Sequence, residues 1–577
     1  MRTRVMTGLC ALTSMCRLFV FSTGMFVAVS AMALEWQLAE TGECRSVVSD
    51  SPELRFPGGF KATVRFACDL SKIGERSNHA NLFCKGNDFH DGYCVMVRKD
   101  GQLLVDIKGV EPQYYVCQMV KFESMREYLL EIYVMPTMVR IFMDGTERGS
   151  YPVEGKLGYA DVKAPLKLGS MGGYKFHGRL PLVRLEPLSD VAIPPGGPKP
   201  MLREAPKVQA RAEILWTRTI CSEKDRYIGW PTVCRLKNGD LIAVFSGDRE
   251  AHVCPFGKVQ LVRSKDGGDT WSAPTTIVNG PIDDRDAGIV QMPDGTLVVT
   301  YFTSTAYRTK NFIETDFPRT DHRFWWKRHD EKITADVRRA ALGYYRMISK
   351  DNGHTWSTPE KMKGLSHTPH GPILMNDGSL LQLGRTFAPA KLGTTEAGRT
   401  IISAWRSTDL GATWTCLCPS VPDTNGENAC PGMFHEPNAI QLSDGTLVGL
   451  VRYHGPDACM RQTISNDGGK TWSPMEKTPM LGLPPHIIRL ADGKLVAVYG
   501  RRFAMPTAFG EYACISDDNG KTWDAGNEIL LKPCHNGDLG YPSSCVLADG
   551  SILTVYYQPP ARGDKPALMA TKWRVTR

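Results

Sequence analysis

The sequence predicts an all-β chain: a six-bladed β-propeller preceded by a β-sandwich. Three observations predict it. First, Ser264-Lys-Asp-Gly-Gly-Asp-Thr-Trp271 returns at Ser349–Trp356, Ser407–Trp414, Ser465–Trp472 and Ser516–Trp523, with Ser, Asp, Gly, Thr and Trp at fixed offsets. Second, six turns of one type interleave with these five staples: Leu236-Lys-Asn-Gly239, Met292-Pro-Asp-Gly295, Met375-Asn-Asp-Gly378, Leu442-Ser-Asp-Gly445, Leu490-Ala-Asp-Gly493 and Leu547-Ala-Asp-Gly550. Third, the chain before them alternates with period two and holds no helix-period stretch.

The first 33 residues read as an export signal. Arg2 and Arg4 open it, Leu18 to Val29 is a short apolar run, and Ala31-Met-Ala33 fits a small-x-small cleavage site after Ala33. The run is too short and too broken by Ser and Gly for a comfortable membrane span. A secreted or periplasmic protein is expected, with no membrane insertion once the signal is cut.

Residues 34–190 carry the sandwich. Phe60-Lys-Ala-Thr-Val-Arg-Phe66 alternates strictly, and Tyr93 to Val97, Leu103 to Ile107, Tyr128 to Tyr133 and Met138 to Met143 do likewise. Val139-Arg-Ile-Phe-Met-Asp-Gly145 and Phe176-His-Gly-Arg-Leu-Pro-Leu-Val-Arg-Leu185 resemble the laminin-G and concanavalin-like lectin sandwiches. That resemblance implies either glycan binding or a spacer. Residues 191–211 form a Pro-rich linker around Ile193-Pro-Pro-Gly-Gly-Pro-Lys-Pro200.

Residues 212–577 carry the propeller. Asn-Gly or Asp-Gly between apolar alternations is a strong hairpin signal. Units of about 50 residues built from short strands stack as blades around a channel. Six hairpins imply six blades, with the last strand, near Ala567 to Val575, closing the ring against its start. In each staple the Asp accepts turn amides and the Trp plugs the turn, so these carboxylates are structural. An insertion at 304–342, with Phe324-Trp-Trp-Lys-Arg328, either walls the site or pins itself to the rim by Trp325 and Trp326.

Composition narrows the function. The net charge of +8 is modest, and no Lys/Arg block interleaves with aromatics, so nucleic acid is not an expected partner. No cysteine pair has zinc spacing, so no metal is implied, and no motif implies a cofactor. Cys10 and Cys16 of the 17 cysteines fall in the signal; the odd remainder leaves at least one free thiol.

Propeller chemistry sits where strand ends converge on the channel. Phe434-His-Glu-Pro-Asn438, Val451-Arg452, Gly500-Arg501-Arg502, Asp538-Leu-Gly-Tyr541 and Gly247-Asp248-Arg249-Glu250 are such ends. The ordered set Glu436, Arg452, Arg501 or Arg502 and Tyr541 resembles the exo-sialidases over the C-terminal two thirds of the chain. The resemblance implies a Tyr541 nucleophile with Glu436 as its base, and Arg452 with Arg501 or Arg502 clamping a substrate carboxylate. It implies terminal sialic acid, or another acidic sugar, as the leaving unit, and sialylated or other acidic glycans as partners.

Two departures accompany it. Where the family opens its first blade with an R-I-P arginine, this chain reads Gly229-Trp230-Pro231, and only Arg226 lies near. The carboxylate that supports that arginine falls at Tyr556-Tyr557-Gln558. The acid/base position, after Arg249, reads Glu250-Ala-His252, leaving His252 or Asp286 as candidates. Arg249 and His370 complete the expected substrate contacts. The rival expectations are hydrolysis or elimination at a uronic acid, and a glycan-binding propeller without catalysis.

Overall fold

The computed structural model describes residues 33–576 except 44, 74–78, 87–91, 100, 112–113, 118–121, 172–173, 195–206, 309–319, 364–367, 388–399, 424–433, 455–458, 503–508 and 562–563. The expected export signal and most of the expected linker lie outside the described residues. The chain is all-β.

Two six-stranded antiparallel sheets come first. One runs in the order Leu34–Glu43, His177–Pro187, Phe60–Cys68, Tyr128–Met135, Met138–Met143, Thr146–Pro152. The other runs Arg45–Val48, Leu166–Gly169, His79–Lys85, Tyr93–Arg98, Leu103–Ile107, Tyr114–Cys117. The alternation read in the sequence sets their inner faces. Phe60, Ala62, Val64 and Phe66 of one sheet and Val95, Val97, Leu103 and Val105 of the other share one apolar core. Phe509, Cys534 and Leu539, from far down the chain, join the same core.

Six further antiparallel sheets follow. The first five are consecutive four-stranded meanders, opening with Tyr227–Arg235, Asp283–Gln291, Ile373–Leu374, Phe434–Gln441 and Pro485–Arg489. The sixth opens with Gly540–Val546 and is completed by Ala212–Cys221 paired against Ala567–Val575. Each first strand touches the next sheet's first strand, except that Phe434–Gln441 meets the third sheet through Leu380–Phe387 and Thr400–Ser407, and the sixth sheet's first strand touches that of the first. A separate apolar cluster fills each gap between consecutive sheets, including the gap between sixth and first.

That arrangement explains the strand composition. Along Leu241–Phe245, Leu241, Ala243 and Phe245 face the sixth sheet's core, while Ile242 and Val244 face the second's. A strand buried on both faces reads as a continuous apolar run.

The staples behave as turn chemistry requires. In the first, Ser264 Oγ accepts from Gly268 N at 2.9 Å, and Asp266 accepts Thr270 N at 2.9 Å and Thr270 Oγ1 at 2.5 Å. Trp271 Nε1 donates to Gly268 O at 3.0 Å. The same Thr-to-Asp bonds recur at Asp351, Asp409, Asp467 and Asp518. These bonds hold Asp266, through Thr270 first, at about 2, well below the usual carboxylate range.

The insertion forms helices Thr320–Lys332 and Ala335–Ala341. Trp326 is buried with Val253, Cys254, Ile282 and Tyr307, whereas Trp325 is 56% exposed. Trp326 thus pins the insertion to the loop after the first sheet's second strand. No helix of the described residues is long and apolar enough to cross a membrane.

Candidate active site

Four of the six first strands carry a non-glycine residue in the left-handed region: Trp230 (φ 57°), Asp286 (φ 51°), Glu436 (φ 31°) and Tyr541 (φ 53°). Each sits at a break in its hairpin's register: between Gly229 and Thr232, Arg285 and Gly288, His435 and Asn438, Gly540 and Ser543. These are bulges, which re-aim a side chain at the cost of local pairing. Such backbone costs about 1–3 kcal/mol per residue and clusters at functional sites.

The bulged ends surround a cavity of about 560 Å³ lined by His252, Arg285, Asp286, Phe302, Arg385, His435, Glu436, Arg452, His454, Leu483, Arg502, Gly537 and Tyr541. All six sheets or the loops between them contribute. Four guanidinium groups and two carboxylates make it electropositive, and a low-dielectric wall strengthens that field.

At its centre the Tyr541 hydroxyl donates to Glu436 Oε1 at 2.8 Å. Arg452 Nη1 donates to the Tyr541 oxygen at 3.0 Å and also pairs with Glu436 Oε2. Burial drives the Tyr541 phenol well above its ordinary value, and Glu436 adds to this, while Arg452 and Arg502 pull it back. A proton leaving the phenol has one acceptor in contact, Glu436. The phenolate it leaves has a guanidinium in contact.

Arg452 also donates from Nε to His454 Nε2 at 2.6 Å, and Arg385 Nη1 lies 2.6 Å from His435 Nδ1. The imidazoles of His435 and His454 lie with centroids 4.4 Å apart, tilted by 35°. Burial first, then Arg452, depresses His454 to about 2, so it is neutral and accepts. Arg502 donates from Nε to Gly537 O at 3.2 Å. No carboxylate pairs with Arg502 among the described residues.

The expected residues divide. Tyr541, Glu436, Arg452, Arg502, Asp286 and His252 line the cavity together. Arg249, Arg501 and His370 do not, which corrects the substrate contacts expected of them. Arg249 is fully buried and donates to Asp283 at 2.5 and 2.8 Å, also fully buried. Arg501 donates to both Glu528 oxygens at 2.8 Å and to Leu481 O, its guanidinium 4.0 Å from the Tyr512 ring centre. His370 is buried, its Nδ1 3.2 Å from Thr232 Oγ1 and its ring 5.0 Å from that of His486. Asp248 pairs with Lys258 at 2.5 Å and Arg226 at 3.2 Å. Arg226 therefore does not reach the cavity.

Sequence reasoning missed Arg285, Arg385, His435 and His454. Trp230 is fully buried where an arginine was expected, and Arg285 stacks on its ring at 4.6 Å. The neighbouring sheet thus supplies a cation beside the vacated position. Asp286 and Asp283 balance Arg285 at 3.4 and 3.7 Å. One signal was available: Trp230-Pro231, Glu436-Pro437 and Tyr541-Pro542 each put proline inside a strand, which marks a bulge.

A crystal structure of a protein of unknown function from Dyadobacter fermentans shares the fold, with 22% identity, a TM-score of 0.50, 63% of this chain and 99% of that one covered. The NanB sialidase from Streptococcus pneumoniae is similar at 14% identity, TM-score 0.43, over 95% of this chain and 99% of its own. The leech intramolecular trans-sialidase is similar at 13% identity, TM-score 0.40, over 95% and 98%. No curated protein matches the sequence. Residues 332–554 match the family model described as a BNR repeat-like domain, a stretch that holds Glu436, Arg452, Arg502, Tyr541 and four of the five staples.

Proposed function

We propose that the chain is a secreted, retaining, exo-acting glycoside hydrolase of sialidase type that removes a terminal acidic sugar, sialic acid first. Its ring is read as a six-bladed propeller over 212–577, joined by the linker at 191–211 to a lectin-like sandwich over 34–190. The carrying observation is the Tyr541 hydroxyl donating to Glu436 while Arg452 bridges both, inside an arginine-lined cavity.

The chemistry follows from charge. A sialoside bears its carboxylate on the reacting carbon. A carboxylate nucleophile would meet that charge at a cost of about 4 kcal/mol at 4 Å and an effective dielectric of 20. A neutral phenol avoids the repulsion, and sialidases depart from the paired-carboxylate scheme in this way. Tyr541 attacks the anomeric carbon as its proton passes to Glu436. Arg502, Arg452 and Arg285 hold the substrate carboxylate, guanidinium forks matching it in shape and charge. The leaving oxygen takes a proton from the acid candidates on the wall, Asp286 or His252.

Incubation with 2,3- and 2,6-linked sialosides tests this. Free sialic acid is expected from the wild type and none from Glu436→Gln. Tight glycan binding without turnover between pH 4 and 8 would replace the enzyme by a binding propeller.

A second reading keeps the cavity and changes the sugar to a uronic acid. Trp230 in the vacated arginine position favours it, because a flat apolar ring now faces Arg285. A panel of acidic glycosides separates the two; turnover of sialosides alone dismisses the second.

A further inference from the structure

Beside Trp230 the cavity wall carries a second hydrogen-bonded chain. Tyr227 begins the first sheet, His252 follows that sheet's second strand, and Asp538 precedes the sixth sheet. The Tyr227 hydroxyl donates to Asp538 Oδ1 at 2.6 Å. A phenol has one proton. With it committed, the same oxygen, 2.9 Å from His252 Nδ1, can only accept. Nδ1 therefore carries the imidazole hydrogen and Nε2 is the site left for a transferable proton. Tyr227 and Trp230 box the ring edge-on, at 5.6 and 4.8 Å between centroids.

We propose that Asp538, Tyr227 and His252 form a relay in which His252 Nε2, and not Asp286, gives a proton to the leaving oxygen and then takes one from the incoming water. This rests on the hydrolase reading above. Asp286 is nearly fully buried and faces Arg285 Nε at 3.4 Å, so it is occupied in balancing that cation. His252 lines the cavity with 43% of its side chain exposed.

Charge explains when the proton arrives. His252 is faced by Arg249 of its own sheet, Arg285 of the second, Arg452 of the fourth and Arg502 of the fifth, with Tyr227 and Asp538 behind it. Burial first, then these cations, push the imidazole well below its ordinary value and so towards the neutral form. A substrate carboxylate between Arg285, Arg452 and Arg502 cancels their field. The imidazolium that then forms donates its Nδ1–H to the Tyr227 oxygen, whose own hydrogen bond to the Asp538 carboxylate stays in place, and so leans on that charge.

The steps balance. In the first, the Tyr541 oxygen bonds to the anomeric carbon, the glycosidic bond breaks, the leaving oxygen takes the Nε2 proton, and the Tyr541 proton goes to Glu436. In the second, water bonds to the anomeric carbon and gives its proton to Nε2, and the Tyr541 oxygen departs and recovers its proton from Glu436. His252 is the catalytic residue; Tyr227 and Asp538 are positioning residues.

The test compares a sialyl disaccharide, whose leaving group needs a proton, with an aryl sialoside, whose leaving group does not. His252→Gln is expected to lower kcat/KM, which reads only the first step, about 1,000-fold on the disaccharide and under about 10-fold on the aryl substrate. Tyr227→Phe and Asp538→Asn are expected to move the basic limb of the kcat profile to lower pH, because the imidazolium loses its support. If His252→Gln does not fold, that limb decides. Equal losses on both substrates, an unmoved limb, or a selective loss in Asp286→Asn overturns the relay alone. A wild type that cleaves neither substrate overturns the hydrolase reading itself.

Discussion

The outer turns and the inner bulges of the ring use the same residue types to opposite ends. Outside, Asp266 and its four counterparts satisfy the amides and hydroxyls of their own turns, and water reaches them. Inside, Glu436 and Asp286 sit on strained backbone and face guanidinium groups brought from other strands. A local bond can be repeated in every sheet. A convergent one is made once, because each sheet supplies a different member. Carboxylates at the rim therefore serve their own turns, and those at the axis serve a cavity that several sheets build together.

The largest expected break in that contrast is Tyr541→Phe. Turnover of a sialoside should fall at least about 1,000-fold, some 4 kcal/mol in barrier, with an unchanged melting temperature. Wild-type-like turnover in this variant would remove Tyr541 from the mechanism.

Adjacent arginines sharpen the contrast next. Arg501→Met takes the cation from the partly buried Glu528, which keeps the Tyr499 hydroxyl, and should destabilise by about 2–3 kcal/mol in a urea titration. Arg502→Met breaks no direct ion pair among the described residues and removes only a longer-range attraction to buried Asp538 and Glu511. It should hold stability within about 1 kcal/mol and raise KM for the acidic sugar. Equal destabilisation by both would erase the distinction between the ion-paired and the cavity-facing arginine.

Removing a staple is smaller still. Asp266→Ala should cost about 1–2 kcal/mol by denaturant melt and leave kcat per folded molecule alone. A fall in kcat would link the rim to the axis.

The smallest effect is a two-window loss of stability on acidification. His252, His370, His454 and His486 are all held below their ordinary value, by burial first. Below about pH 6.5 the unfolded chain binds protons that the folded chain refuses, so stability falls as pH falls from there. The staple aspartates, at about 2 for Asp266, Asp409 and Asp467, add stability above about pH 4. That contribution disappears as pH drops towards 2. Melting temperature against pH should show both slopes, and Asp266→Asn should weaken only the lower.

The repeats were legible because their physics lies within eight residues. The central triad was legible because Glu436, Arg452 and Tyr541 stand at strand ends in a known order. What escaped was direction. Successive strand residues face opposite sides, so Arg501 turns to Glu528 while Arg502 turns to the mouth, and nothing in Gly500-Arg501-Arg502 states the parity. The bulge at Asp286 brings Arg285 inward without a proline to announce it, and Arg249 found a partner, Asp283, 34 residues away.

Phe509, Cys534 and Leu539 share their core with the N-terminal sheets, and Leu539 stands between Asp538 and Gly540. A shortened version beginning at the linker would leave these three side chains bare to solvent and loosen the segment that ends in Tyr541. Anyone wishing to produce the ring by itself should plan for aggregation and a weakened site. The two N-terminal sheets thus underpin the segment that carries Tyr541, even though none of the described residues lining the cavity comes from them.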